Sequence, residues 1–175
     1  MTENTYSPEI ARRLSEASAL RESGQVVEAI SAYKSVLAEA PDLPDSWYNL
    51  GWLQRRAGEP RLAIEAYDRA LGLGIKDPEE VHLNRGVIFA DDLNAPDLAI
   101  EAYRAALALN PDFLQARFNL ANSLEDIGDR DGAAAEYRTM LDDNPRETEP
   151  LARLANLSTV NSADDGLVIR LESER

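Results

Sequence analysis

Small and apolar residues recur along the chain at helical spacing, as in Ala63, Tyr67, Ala70 and Leu71, and strict two-residue alternation is absent throughout. The pattern predicts helices and no sheet. It also repeats: Ala29-Ile30-Ser31-Ala32-Tyr33 returns as Ala63-Ile64-Glu65-Ala66-Tyr67, as Ala99-Ile100-Glu101-Ala102-Tyr103 and as Ala133-Ala134-Ala135-Glu136-Tyr137, at spacings of 34, 36 and 34. A second series runs Asn49-Leu50-Gly51, Asn84-Arg85-Gly86, Asn119-Leu120-Ala121 and Arg153-Leu154-Ala155, spaced by 35, 35 and 34. Two interleaved series at one period predict two helices per repeat.

Helix-end signals divide the chain accordingly. Ser7-Pro8-Glu9 and Asp77-Pro78-Glu79-Glu80 each place a capping side chain before a proline suited to a first helical turn, and Asp77 with Glu80 fits a capping box. Gly24, Gly58 and Gly128 fall mid-repeat, where a tight turn needs positive φ, and Pro41, Pro111 and Pro145 follow the second helices. The expected organisation is a tail over 1–7, repeats over 8–43, 44–78, 79–113 and 114–147, and a fifth incomplete repeat or capping helices over 148–175. The third repeat is irregular. It lacks the mid-repeat glycine, holds one extra residue within Asp91–Pro96, and follows another within Gly72-Leu73-Gly74-Ile75.

These residues resemble the tetratricopeptide repeat, whose pattern runs Trp-x2-Leu-Gly-x2-Tyr, then Ala-x3-Phe, then Pro. Trp47, Leu50, Gly51, Gly58, Ala63, Tyr67 and Ala70 match in repeat two, and Leu120, Ala121, Gly128, Ala133, Tyr137 and Pro145 in repeat four. The resemblance covers about residues 9–160 and implies an all-α fold, a right-handed superhelical solenoid of antiparallel helix pairs. Gly51, Gly86, Ala17 and Ala121 then face Ala29, Ala63, Ala99 and Ala133 at close helix contacts, while Tyr33, Tyr67, Tyr103 and Tyr137 form a core column. Arg85 departs from the leucine column, so its stem is expected along the interface with its head toward solvent or toward Asp91 or Asp92. Arg13 and Glu16 at apolar positions mark repeat one as an N-terminal cap. Beyond Leu151, Leu154, Ala155 and Leu157, a further helix is expected from the Ser162 and Asp165 cap through Leu171. With no polar capping helix after it, either the chain is the N-terminal part of something longer or that last helix docks on a partner.

Composition removes many functions. There are 32 acidic residues against 18 basic ones in 175, a net charge of −14, which disfavours nucleic acid and anionic membranes as partners. With no cysteine and one histidine, disulfides, thiolate catalysis and cysteine- or histidine-cluster metal sites have no residues to build them. No stretch approaches the roughly 18 apolar residues of a membrane span, and the N-terminus has no targeting pattern, so a cytoplasmic chain is expected. Gly-rich phosphate loops are absent, and no cofactor is expected. Asp91-Asp92, Asp142-Asp143 and Asp164-Asp165 sit at helix ends, where acids cap or are solvated. His82 takes the position of Trp47 and reads as a partly buried contact residue rather than a base.

What remains is the groove that first helices line in tetratricopeptide arrays. Three columns point there: Asn49, Asn84, Asn119 and Arg153; Leu14, Tyr48, Leu83 and Phe118; and Ser18, Trp52, Val87, Asn122 and Asn156. Two readings of the asparagines stand side by side. Either they hydrogen-bond between repeats, or, on helices about 10 Å apart, they grip every third residue of an extended peptide. The second arrangement resembles the asparagine ladder of O-linked N-acetylglucosamine transferase repeats. The lysines and arginine with which chaperone-binding repeats hold a C-terminal carboxylate are missing, so that partner is disfavoured. Arg21, Arg55 and Arg56 near repeats one and two, against Glu125 and Asp126 in repeat four, predict a ligand acidic toward the first repeats and basic toward the last. The expected function is a non-catalytic scaffold that binds a protein or an extended peptide. Alternatives are a substrate-recruiting N-terminal arm of a larger transferase, a sulfotransferase or a glycosyltransferase, since residues 151–171 resemble the region before the catalytic domain in bacterial sulfotransferases with such repeats, and self-association through the C-terminal helix.

Overall fold

A computed structural model describes residues 7–143 and 145–158. Among them the helices are α1 (Pro8–Glu22), α2 (Val26–Glu39), α3 (Pro44–Arg56), α4 (Pro60–Gly72), α5 (Pro78–Val87), α6 (Pro96–Leu109), α7 (Leu114–Asp126), α8 (Arg130–Asp143) and α9 (Thr148–Ser158). A π-helical turn, Ile88–Asp92, continues α5, and no described residue lies in a strand. The helix expected from Ser162 to Leu171 and the Asp164-Asp165 pair lie outside the described residues, so self-association through them stays an expectation. The chain divides into two compact units, Met1–Val81 and His82–Arg175.

Local signals explain the helix ends. The Ser7 hydroxyl accepts the Ile10 N–H at 3.3 Å and caps α1, and Pro44, Pro60 and Pro96 open α3, α4 and α6, where a missing N–H costs no intrahelical bond. Three turns share one geometry. Gly24, Gly58 and Gly128 have φ of 76°, 77° and 84°, and the N–H of the next residue returns five positions, to the carbonyls of Leu20, Gln54 and Leu124 at 3.0, 2.9 and 2.8 Å.

The third repeat solves the same problem with one residue more. Leu93 N–H reaches five back to the Ile88 carbonyl (3.0 Å), and Ala95 N–H reaches six back to the Phe89 carbonyl (2.8 Å). The insertion is therefore wound into the helix as a π turn over Ile88–Asp92 rather than added to the loop after Asp91. The loop stays three residues long, Leu93-Asn94-Ala95, and Asn94 takes the left-handed place of the glycine with φ 49°. The guanidinium of Arg85 lies over the Phe89 ring of that π turn, 5.8 Å from its centroid.

In the first unit Ile10, Ala17, Ala29, Tyr33, Leu50 and Leu53 belong to one buried cluster. The N-terminal departures from the repeat pattern sit at its edge: Arg13 bonds Glu39 and Ser35, each at 2.7 Å, and Glu16 pairs with Arg12 in solvent. In the second unit Ala99, Tyr103, Leu120, Ala121, Tyr137 and Leu154 share another cluster. The tyrosine column is core, each ring 0–2% exposed.

Space beside those rings is tight. A methyl on Gly51 would come within 2.9 Å of the Tyr67 ring, and one on Gly86 within 2.4 Å of Tyr103. Alanine is the better helix former by about 1 kcal/mol, but at Gly86 it overpacks a ring with nowhere to move. Gly86→Ala is therefore expected to destabilise the chain by about 1–3 kcal/mol net, read as a lower urea midpoint at unchanged slope; an equal or higher midpoint would show that Tyr103 yields freely.

Candidate functional site

In the first unit, α3 presents Tyr48, Asn49, Trp52 and Arg55, all half-buried. Tyr48 leans on Tyr67 of α4, ring centroids 5.6 Å apart at 48°. The guanidinium of Arg56 stacks over Trp52 at 4.9 Å. Asn49 is already engaged, because Arg21 of α1 donates to its Oδ1 at 2.7 Å. At Asn49 this is a bond between one repeat and the next, and it brings the cation of Arg21 to α3.

In the second unit, α5, its π turn, α6 and α7 enclose a cleft of about 260 Å³. Its lining combines Val87, Asn119, Asn122 and Asp126, all expected from the sequence to face the groove, with Asp91 and Gln115. Phe118 rests on Tyr137, centroids 6.1 Å apart, as Tyr48 rests on Tyr67. The Tyr137 hydroxyl donates to Asn122 Oδ1 at 2.7 Å, which turns the amide nitrogen of Asn122 into the group it can offer. Asn84 is half-buried on α5.

Two expected residues have other places. Leu83 is 3% exposed in the core of the second unit and presents no surface to a ligand, because an aliphatic side chain in the Tyr48 and Phe118 column fits wholly between the helices. Arg153 does not extend the amide column as a lone cation: its guanidinium stands 3.7 Å from Glu125. Glu125 does not line the cleft, whose acids are Asp91 and Asp126. The sequence made Asp91 a helix-end acid or a partner of Arg85 and gave neither it nor Gln115 a place in the groove. The signal was the extra residue of repeat three, which brings Ala90 and Asp91 to the cleft through the π turn.

The site offers amide donors and acceptors, a small apolar wall and two carboxylates, a surface for hydrogen-bonding a chain and attracting a cation. Among the described residues no group of three or more His, Asp or Glu is placed to hold a metal ion, and no helix is long and apolar enough to cross a membrane. Burial pushes the Tyr67 hydroxyl well above the usual phenol range, reinforced by Tyr48 and opposed by Arg55. Tyr137 is pushed the same way, by burial and then by the neighbouring Glu125 carboxylate, with Arg153 opposing.

Three comparisons bear on the chain. The family model described as Tetratricopeptide repeat matches residues 14–78 and 90–148, well over half of the sequence, and passes over most of α5. The chain is 30% identical over 151 residues to the Protein O-mannosyl-transferase TMTC1 of Mus musculus, covering 83% of this chain and 16% of that protein. It is 33% identical over 121 residues to the Peroxisomal targeting signal receptor of Candida glabrata, covering 69% and 20%. Among solved structures, YrrB, described as a TPR protein with an unusual peptide-binding site, superposes with a TM-score of 0.74 at 18% identity, over 91% of this chain and 81% of that one. The chain thus spans about a fifth or less of the length of these two relatives.

The buried tyrosines give an alkaline prediction. Unfolded tyrosine ionises near pH 10, while Tyr67 and Tyr137 hold their protons longer. Above about pH 10 the unfolded state therefore binds fewer protons than the folded one, and stability falls as pH rises. The melting temperature is expected to drop between about pH 9.5 and 11, and to drop less in Tyr67→Phe; parallel curves for the two proteins would refute it.

Proposed function

The chain belongs to the tetratricopeptide repeat family, and on that premise we propose that it is a non-catalytic interaction module binding extended protein segments along its first helices. The observation that carries this reading is the cleft of the second unit, where Gln115, Asn119 and Asn122 stand beside Asp91 and Asp126. Amides at successive turns of α7 satisfy a peptide backbone without regard to its side chains, and the two carboxylates select a basic residue. YrrB, similar in fold, is described as having a peptide-binding site, and the relative in Candida glabrata as a targeting-signal receptor; both support a peptide-type ligand.

The face of the first unit has the opposite preference. Arg21 bonds Asn49 and Arg56 stacks on Trp52, with Arg55 on the same helix, which suits acidic groups and an apolar anchor. A second reading has one observation behind it, the similarity to part of a mannosyl-transferase. There the repeats would recruit substrate for a catalytic domain elsewhere in a longer protein, and removing them from that protein would raise KM for protein substrates while sparing kcat.

Peptide-library selection against the whole chain tests the first reading. Selected peptides are expected to carry Lys or Arg, and Gln115→Ala plus Asn119→Ala to weaken them by about 1–3 kcal/mol, as two lost hydrogen bonds would. Asp126→Lys is expected to cost further affinity, with a loss that shrinks as salt rises. Selected peptides that bind these variants unchanged would remove the cleft as the site. For peptides selected by the first unit, Trp52→Ala is expected to cost about 2 kcal/mol, and Arg55→Glu plus Arg56→Glu to abolish any preference for acidic residues.

A further inference from the structure

Stepping by one repeat from Gln54 gives Leu20, Phe89 and Leu124, an otherwise apolar column. The register is confirmed by the backbone, since the carbonyls of these same four residues receive the turn hydrogen bonds. Gln54 is 4% exposed, and its Oε1 is buried with no hydrogen-bond partner among the described residues. A buried, unbonded amide oxygen is costly where a leucine would fit the repeat, so its presence calls for a donor from elsewhere.

Space for a donor adjoins the residue. Gln54 lines a cleft of about 410 Å³ between α2, α3 and α4, entirely within the first unit. Its walls are apolar, from Leu37, Trp47, Leu50, Leu62 and Ala66, and its rim carries Lys34, Glu65 and Arg69. Leu62 is 38% exposed there, a large apolar side chain held in solvent at the mouth. A second depression, about 430 Å³, continues past Trp47 and Arg69 to Pro41, Gly72 and Leu73, also with an exposed leucine. Trp47 stands between the two, its ring fixed by the bond from Nε1 to the Pro41 carbonyl at 2.7 Å. On α3 this face is opposite to Tyr48, Asn49 and Trp52, so it is separate from the surfaces considered above.

We propose that this track binds an extended segment of a partner protein, which inserts a tryptophan-type side chain, an aromatic body carrying a hydrogen-bond donor, against Gln54. The apolar walls take the ring, Gln54 Oε1 takes its N–H, and the continuation past Trp47 takes the chain that bears it. A lone small molecule would leave that second depression unused. Cations and acids alternate along the rim, so the segment needs no particular net charge.

The experiment is an NMR titration of the 175-residue chain with three probes: a capped pentapeptide with tryptophan at its centre and glycine elsewhere, the same peptide with 1-methyltryptophan, and free indole. The tryptophan peptide is expected to shift the signals of Leu37, Gln54, Leu62 and Ala66 and the indole N–H of Trp47, and to bind at least fivefold more tightly than the methylated one. In Gln54→Leu, which restores the column residue, both peptides are expected to bind alike. Equal binding of the two peptides to the natural chain, or shifts outside this cleft, would overturn the proposal even if Gln54→Leu failed to fold. Free indole binding as tightly as the tryptophan peptide would make the cleft a small-molecule site and likewise overturn it, as would the absence of any shift, the result if Gln54 merely holds water.

Discussion

Close contact between a tyrosine on each second helix and a small residue on the first sets the geometry on which the rest depends. At Gly51 and Gly86 the ring comes nearer than a methyl would permit, so the helix pair is fixed at a separation that only glycine allows there. With the ring buried, its upper edge becomes the platform for Tyr48 in one unit and Phe118 in the other. From Tyr137 a hydroxyl reaches out to orient Asn122 in the cleft. Core packing and the presentation of a polar binding surface are thus one arrangement, seen from two sides.

The π turn shows how such a scaffold absorbs an extra residue. A longer loop would have shifted the register of α6 against its partner; winding the residue into Ile88–Asp92 keeps the three-residue turn and the tyrosine contact. The disturbance is expressed instead on the exposed side of the helix, where Ala90 and Asp91 move to the cleft beside Asn119 and Asn122. Sequence irregularity and local chemistry coincide because the core tolerates no slack while the surface does. The family model leaves out residues 79–89, which carry Arg85 and lead into the turn.

Polar residues placed in apolar columns divide into two kinds. Arg85 reaches the Phe89 ring with its guanidinium, and Arg13 reaches Glu39 and Ser35; long side chains carry their charge to a partner or to water. Gln54 is shorter: its oxygen stays buried without a partner, while the residue lines a cleft. The same substitution of polar for apolar has different consequences because reach, not polarity, decides whether the group finds a partner.

The repeats and their helices were legible in the sequence because periodic small residues, mid-repeat glycines and prolines act locally, through backbone conformation and close packing that every repeat must satisfy. The same logic placed Gly51 and Gly86 at tight contacts and the tyrosines in the core. Which residues share a surface was less legible. Val87, Asn119 and Asn122 do meet in one cleft, but Leu83, in an equally regular column, sinks into the core, and Glu125 meets Arg153. A column assigns a direction from the helix axis; burial and ion pairing depend on side-chain length and on neighbours brought from other helices. The π turn and the cleft beneath Gln54 belong to that second class: the sequence contained an extra residue and an out-of-place amide, and only the packed helices decided where the one was wound and what space the other faced.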